Sequence, residues 1–216
     1  MSTTTLSSFG SIRRGEYVRK LLHSLPGLLP FVLAAVPHPD PLDWVSLTVV
    51  ITLATVLTGV FLASRRIVQR DGEDNLLSTT LSYPATVCLL LVLFPGHAEF
   101  AGALVTILAF GDTAAYFGGK TLGRTKLPWN TDKSWAGLFC FVAAAFPTAT
   151  LALYLEARDP SVALGMAAAC GFAGAVTGAL VETLPMRLTD NLRIGVGSGI
   201  AIVVSWFALA PFFAAG

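Results

Sequence analysis

The sequence predicts an all-α membrane protein: about seven transmembrane helices in one bundle, with the N-terminus in the cytoplasm. Three observations predict it. Of 216 residues, 54% are hydrophobic and 12% charged, a balance too apolar for an ordinary soluble domain. The apolar residues gather into runs long enough to span, since a helix needs about 20 residues to cross ~30 Å of hydrocarbon. The cations are also sorted. With loops assigned to alternate sides, all but one of the 14 Lys and Arg residues fall on one side, and that side is expected to be the cytoplasm. The net charge of +1 identifies no partner, and no nucleic-acid partner is expected.

The elements follow in order. Residues 1–18 read as a flexible cytoplasmic segment whose Ser/Thr-rich opening has too few apolar residues for a signal-peptide core. Arg13, Arg14, Arg19 and Lys20 lead into the first span, 21–37, which doubles as the insertion signal. The second span, 44–64, ends at Arg65, Arg66 and Arg70, and the third covers 76–95. The fourth, 98–118, opens into a loop at 119–134 carrying Lys120, Arg124, Lys126 and Lys133. The fifth covers 135–155 and the sixth 161–181, with Arg187 and Arg193 before the seventh, 193–213. The opposite side holds only Arg158 among Asp40, Asp43, Glu99, Glu156 and Asp159. Gly171, Gly174 and Gly178 in span six, and Gly195 and Gly199 in span seven, have the spacing that lets helices approach closely in lipid. Cys88, Cys140 and Cys170 lie inside apolar spans and read as packing residues. Residues 19–216 thus form one transmembrane domain.

Four groups could do chemistry. Asp112 sits inside span four, ~9 Å short of an inner end near Gly118 at 1.5 Å per residue. A carboxylate there is costly, so a role such as Mg²⁺ ligand is favoured over a hydrogen bond within the bundle. The loop that follows has Gly118, Gly119 and Gly123 for bending, four cations for phosphate oxygens, and turn residues at Pro128 and 130–132. Arg19, Lys20 and His23 share a helix face entering the membrane. Glu182, Asp190 and Asn191 bracket the loop before span seven on the same side. His38 and His97 lie on the other side and carry no expected chemistry. Residues 114–121 differ from a P-loop only in having Ala114 for the first Gly, but a span rather than a strand precedes them, so that reading is rejected.

The stretch GDTAAYFGGKTLGRTKLPWNTDKSWAG, from Gly111 to Gly137, resembles that of the CTP-dependent lipid-alcohol kinases, which include dolichol, phytol and farnesol kinases. RKLLH at 19–23 with Gly27 following, and ETLP with DNL at 182–192, are similar to two further family stretches, and residues 80–84, TLSYP, to a fourth. The resemblance implies transfer of phosphate from CTP, with Mg²⁺ or another divalent cation, to the hydroxyl of a membrane-dissolved isoprenoid alcohol. It implies catalytic roles for Asp112, Asp190, Glu182 and His23, with Asp112 and Asp190 as metal ligands. Nucleotide contacts fall to Lys20, Lys120, Lys126, Asn130, Lys133, Trp135, Gly137 and Asn191. The active site would face the cytoplasm, from an inner membrane in a bacterium, and the lipid tail would lie in a groove beside spans six and seven.

Two other readings compete. A CTP:phosphatidate cytidylyltransferase has a similar loop, though the acid-rich C-terminal signature of those enzymes is reduced here to Asp190, Asn191 and Arg193. A small transporter would need polar residues facing both sides, whereas these crowd one.

Overall fold

The structure, a computed structural model, describes residues 14–63, 76–159 and 161–213. The first thirteen residues and the cations at 65, 66 and 70 lie outside that range. A helix, α1, already covers Arg14–Ser24, so the segment expected to be flexible to residue 18 is ordered from 14. Pro26 and Pro30 then cannot donate the backbone N–H that a continuous helix needs. The chain takes a 3₁₀ turn at Leu25–Leu28 before α2, Leu29–Ala35.

The remaining helices are α3 (Trp44–Ala63), α4 (Leu76–Leu93), α5 (Ala98–Thr106) and α6 (Asp112–Leu122), then α7 (Trp135–Glu156), α8 (Leu164–Thr183) and α9 (Asp190–Phe213). Between α5 and α6 the chain winds as a π turn, Ile107–Gly111. Each of the seven expected spans is helical. Among the described residues six helical stretches are long and apolar enough to cross a membrane, while the third span contributes a shorter apolar stretch, Leu81–Leu93.

Two boundaries move. The fourth span continues to Leu122 rather than ending near Gly118, so Asp112 lies ~15 Å from its end instead of ~9 Å. The loop proper begins at Gly123 and holds a small antiparallel hairpin, β1 (Lys126–Leu127) and β2 (Asn130–Ser134), in an otherwise helical protein. Residues 114–121 are continuous helix, a geometry in which the backbone amides cannot wrap a phosphate as a P-loop does.

The core lies where α5, the π turn and α7 to α9 meet, around the fully buried Phe100, Leu104, Ile107, Leu108, Phe141, Ile194 and Ile202. In lipid no hydrophobic force drives helices together, so close packing must do it. The glycines of α8 and α9 permit that approach. A Cβ on Gly178 would sit 2.5 Å from Ser198 Oγ, one on Gly174 2.8 Å from Ile202, and one on Gly195 2.5 Å from Thr86. Ser198 Oγ, fully buried, donates 3.0 Å to the Gly174 carbonyl. Cys170 is buried, Cys88 and Cys140 partly so, and all three are free thiols. By contrast α3 buries no residue.

Candidate active site

One cavity of about 780 Å³ runs from the hairpin to the opposite end of α7, within the ~300–1,000 Å³ of sites that hold small molecules. Its hairpin end is polar, lined by Lys20, His23, Asp112, Lys133, Glu182 and Asp190. Most of the rest is apolar, walled by α2, α3, α4 and α5 through residues such as Leu33, Leu53, Phe61 and Val105. The groove expected beside the sixth and seventh spans is therefore elsewhere. Their glycines are filled by neighbouring side chains, and the space opens against the first four spans.

Asp112 opens α6 directly after the π turn, a distortion that recurs at functional sites. Two glycines make the turn fit. A Cβ on Gly27 would lie 2.7 Å from that of Ala109 and 2.8 Å from the Phe110 ring, and one on Gly111 2.7 Å from the Phe141 ring. With Gly27 bare, the 3₁₀ turn presses onto the π turn and brings the end of α1 to Asp112. Lys20 Nζ then donates to Asp112 Oδ2 at 2.5 Å, and His23 Nε2 lies 3.5 Å from the same oxygen. Lys20 and Asp112 are 6% and 8% exposed. Thr113 Oγ1 donates 3.4 Å to the Lys20 carbonyl, and the Lys20 ammonium stands 5.3 Å over the Tyr116 ring. The Tyr83 ring packs 5.3 Å from that of His23 while its hydroxyl donates 3.0 Å to the Val105 carbonyl.

The second half of the site comes from the hairpin and the α8–α9 junction. Lys133 donates to Glu182 and, at 3.5 Å, to Asp190. Burial opposes its charge, but these carboxylates outweigh burial and hold the ammonium above the usual lysine range. Arg193 donates to Asp190, to the Leu184 carbonyl and, at 3.2 Å, to that of Val181. It thereby satisfies carbonyls that the end of α8 leaves without a helical partner. Ser134 caps α7 by accepting from the Gly137 amide at 3.2 Å, and a Cβ on Gly137 would meet the Ala115 carbonyl at 3.1 Å.

Most of the expected site residues share this cavity. Lys120 and Lys126 line it as exposed residues, and Gly137 and Asn191 line it too. Asn130 and Trp135 do not. Asn130 Nδ2 donates 2.9 Å to the Thr183 carbonyl and its Oδ1 accepts from the Asp132 amide at 3.1 Å, so its polar atoms are used to hold the hairpin on α8. Trp135 stacks on Phe139 and meets Trp129 edge-on. Tyr83, Tyr116 and Thr189 line the cavity without having been expected there. The TLSYP stretch was the one signal for Tyr83.

Among the described residues no three His, Cys, Asp or Glu side chains converge as a protein-built metal cage requires. The Asp112 carboxylate faces Lys20, and Asp190 faces Lys133 and Arg193. Such a donor set fits Mg²⁺ only as an ion arriving on a nucleotide. One carboxylate or two would then join phosphate oxygens and water.

Residues 8–209 match the cytidylyltransferase family. A probable phytol kinase 2 of rice, described as chloroplastic, is 32% identical over 133 residues, covering 60% of this chain and 44% of its own length. The farnesol kinase of Arabidopsis thaliana is 29% identical over 136 residues, with 61% and 44% covered. Phytol kinase 1 of the same plant is 26% identical over 205 residues, with 87% and 66% covered. The chain thus spans less than half the length of the rice protein and the farnesol kinase. No solved structure matches it.

Proposed function

The chain belongs to the cytidylyltransferase family, and from that premise we propose that it is an integral membrane lipid-alcohol kinase. It would move the terminal phosphate of CTP onto an isoprenoid alcohol of the phytol or farnesol type. The observation that carries this reading is a cavity that is cationic and acidic at the hairpin end and mostly apolar beyond it. A water-borne polyanion and a lipid chain can enter such a space from opposite directions and meet at its boundary. Phosphoryl transfer asks little more of a protein than positioning and charge stabilisation.

In this proposal Lys133, Lys120 and Lys126 hold the triphosphate at the cavity mouth. The alcohol oxygen forms a bond to the γ-phosphorus, the bond from that phosphorus to the β,γ-bridging oxygen breaks, and CDP leaves. His23 takes the hydroxyl proton. In support, His23 lines the cavity and its Nε2 has no hydrogen-bond partner among the described residues. Asp112, 3.5 Å away, stabilises the imidazolium that forms. Mg²⁺, when bound, would screen phosphate charge, with Asp112 and Asp190 as its protein ligands. The lysine-rich end faces the cytoplasm, where CTP is found.

The family's name supports a second reading, cytidylyl transfer to a phosphorylated lipid, and the products separate the two. Purified protein with γ-labelled CTP and phytol or farnesol should give labelled lipid and CDP. Asp112→Asn, assayed on the fraction that remains folded, should lower labelling by roughly 10²–10³. Release of pyrophosphate with CMP on the lipid would replace the kinase by the transferase. Near-normal turnover by the variant would remove Asp112 from the mechanism.

A further inference from the structure

The lysine-rich end is not the only polar end of the cavity. At the far end, among Val36, Leu42, Leu91 and Ala98, the wall includes Glu156. Glu156 is 3% exposed, and its Oε2 has no hydrogen-bond partner among the described residues. Its Oε1 lies 3.0 Å from His38 Nε2, while His38 Nδ1 lies 2.8 Å from the Val36 carbonyl. A carbonyl can only accept, so Nδ1 carries a proton, and the Glu156–His38 contact holds one more between its two atoms. Further bonds tie down the same segment. Asp40 Oδ2 accepts the amides of Arg158 at 2.8 Å and Asp159 at 3.0 Å, and Arg158 Nη2 donates to the Ala34 carbonyl. The connection from α2 to α3 is thereby stitched across the end of α7, and its Val36 and Leu42 line the cavity there.

Resting on the kinase reading, we infer that this end is stopped and acts as a ruler for the acceptor: Glu156 and the segment pinned by His38 form a floor that sets the longest tail the cavity takes. From Asp112 to Ala98 the helix backbone covers 14 residues, about 21 Å at 1.5 Å each. A single-chain alcohol with its hydroxyl at Asp112 and a tail of that length ends on Glu156. A longer tail would press methyl groups onto a carboxylate that has no spare partner, or break the stitched segment. Both cost binding. The accepted substrates are therefore short isoprenoid alcohols, and polyprenol-length tails are refused.

The test uses the full chain in lipid nanodiscs and a series of primary isoprenoid alcohols, from half the cavity's depth to twice it. Two quantities are read: kcat/KM with CTP, and binding without nucleotide by displacement of a fluorescent fatty alcohol. Both should break at a tail matching the cavity depth, by a factor on the order of 10 or more beyond it. Ala98→Phe, which fills the far end from α5, should move the break to shorter tails. Glu156→Ala should move it to longer ones, and Glu156→Gln, which keeps the shape, should leave it in place. A flat profile would overturn the ruler, because the tail would then leave sideways past α3. So would a break that neither Ala98→Phe nor Glu156→Ala moves. A movable break in binding without phosphoryl transfer would keep the ruler and sink the kinase reading, whereas transfer without a break would do the reverse.

Discussion

Two lysine–carboxylate pairs meet in one cavity, and they are built differently. Lys20 and Asp112 come from α1 and α6, and their side chains are 7% and 12% exposed. Lys133 comes from the hairpin, is 29% exposed, and divides itself between a buried Glu182 and an open Asp190. In the first pair each charge depends on the other, because burial leaves little water to replace either. In the second, solvent and Arg193 stand ready to take over. The difference separates two tasks that a polyanion site needs. A fixed charge pair sets geometry, and an exchangeable lysine can leave a carboxylate for a phosphate.

Breaking the fixed pair should have the largest effect. Asp112→Asn leaves Lys20 buried without its anion, which costs about 3–5 kcal/mol of stability. It should also lower transfer by roughly 10²–10³, the loss typical when a fixed electrostatic group is removed from a reacting centre. The double variant Lys20→Met with Asp112→Leu separates these effects. Replacing a buried pair by apolar residues of similar size is often neutral, so its melting temperature in detergent should return toward that of the parent. Its activity should not. Recovery of activity along with stability would mean that the pair only holds α1 against α6.

The exchangeable pair should respond more mildly. Lys133→Ala should raise the KM for CTP by roughly 10- to 100-fold, the equivalent of a charged hydrogen bond worth ~1.5–3 kcal/mol. Asp190 keeps Arg193 and can turn to water, but the buried Glu182 loses its cation, so stability should fall as well. The pH dependence has a definite sign. The folded lysine sits above its unfolded value, so its contribution is complete below the ordinary lysine range of about 10.4 and fades as pH rises through the raised value. Melting curves of parent and variant should keep a constant gap through neutral pH and converge only in alkali. Convergence near neutrality would mean that the carboxylates do not hold the ammonium.

The same contrast bears on what could be read from the residues. Asp112 was legible because charge inside an apolar run is costly and conspicuous, Lys20 and His23 because their spacing puts them on one helical face, and the acids at 182 and 190 because they fall on the same side. The helices were legible as apolar runs, six of the described stretches being long and apolar enough to span and the third falling short. The hairpin was not, since five polar residues such as NTDKS carry no alternation of apolar side chains from which a strand could be recognised. Nor was the position of the cavity. Glycines at GxxxG spacing mark where backbones can approach, and here that approach is used up by Thr86, Ser198 and Ile202. The opening lies instead beside α3, whose uniformly apolar surface distinguishes no face. His38 and Glu156 were invisible as a pair because 118 residues separate them.

The smallest expected effect tests how firmly the exchangeable lysine is presented. Asn130 lies outside the cavity, yet it anchors β2, three residues before Lys133, to the last turn of α8. Asn130→Ala removes a neutral hydrogen bond to the Thr183 carbonyl, and Thr183 is 1% exposed. The cost should be about 1 kcal/mol. Trp129 Nε1 still donates 3.1 Å to Thr183 Oγ1, so the hairpin should stay docked but looser. The expected kinetic signature is a rise of a few-fold in the KM for CTP with kcat unchanged, because positioning is weakened while the Lys20–Asp112 half is untouched. A fall in kcat at constant KM would instead assign Asn130 to the reacting centre, beyond the nucleotide contact that the sequence resemblance implied. A loss as large as that of Lys133→Ala would mean that the lysine depends entirely on this one anchor.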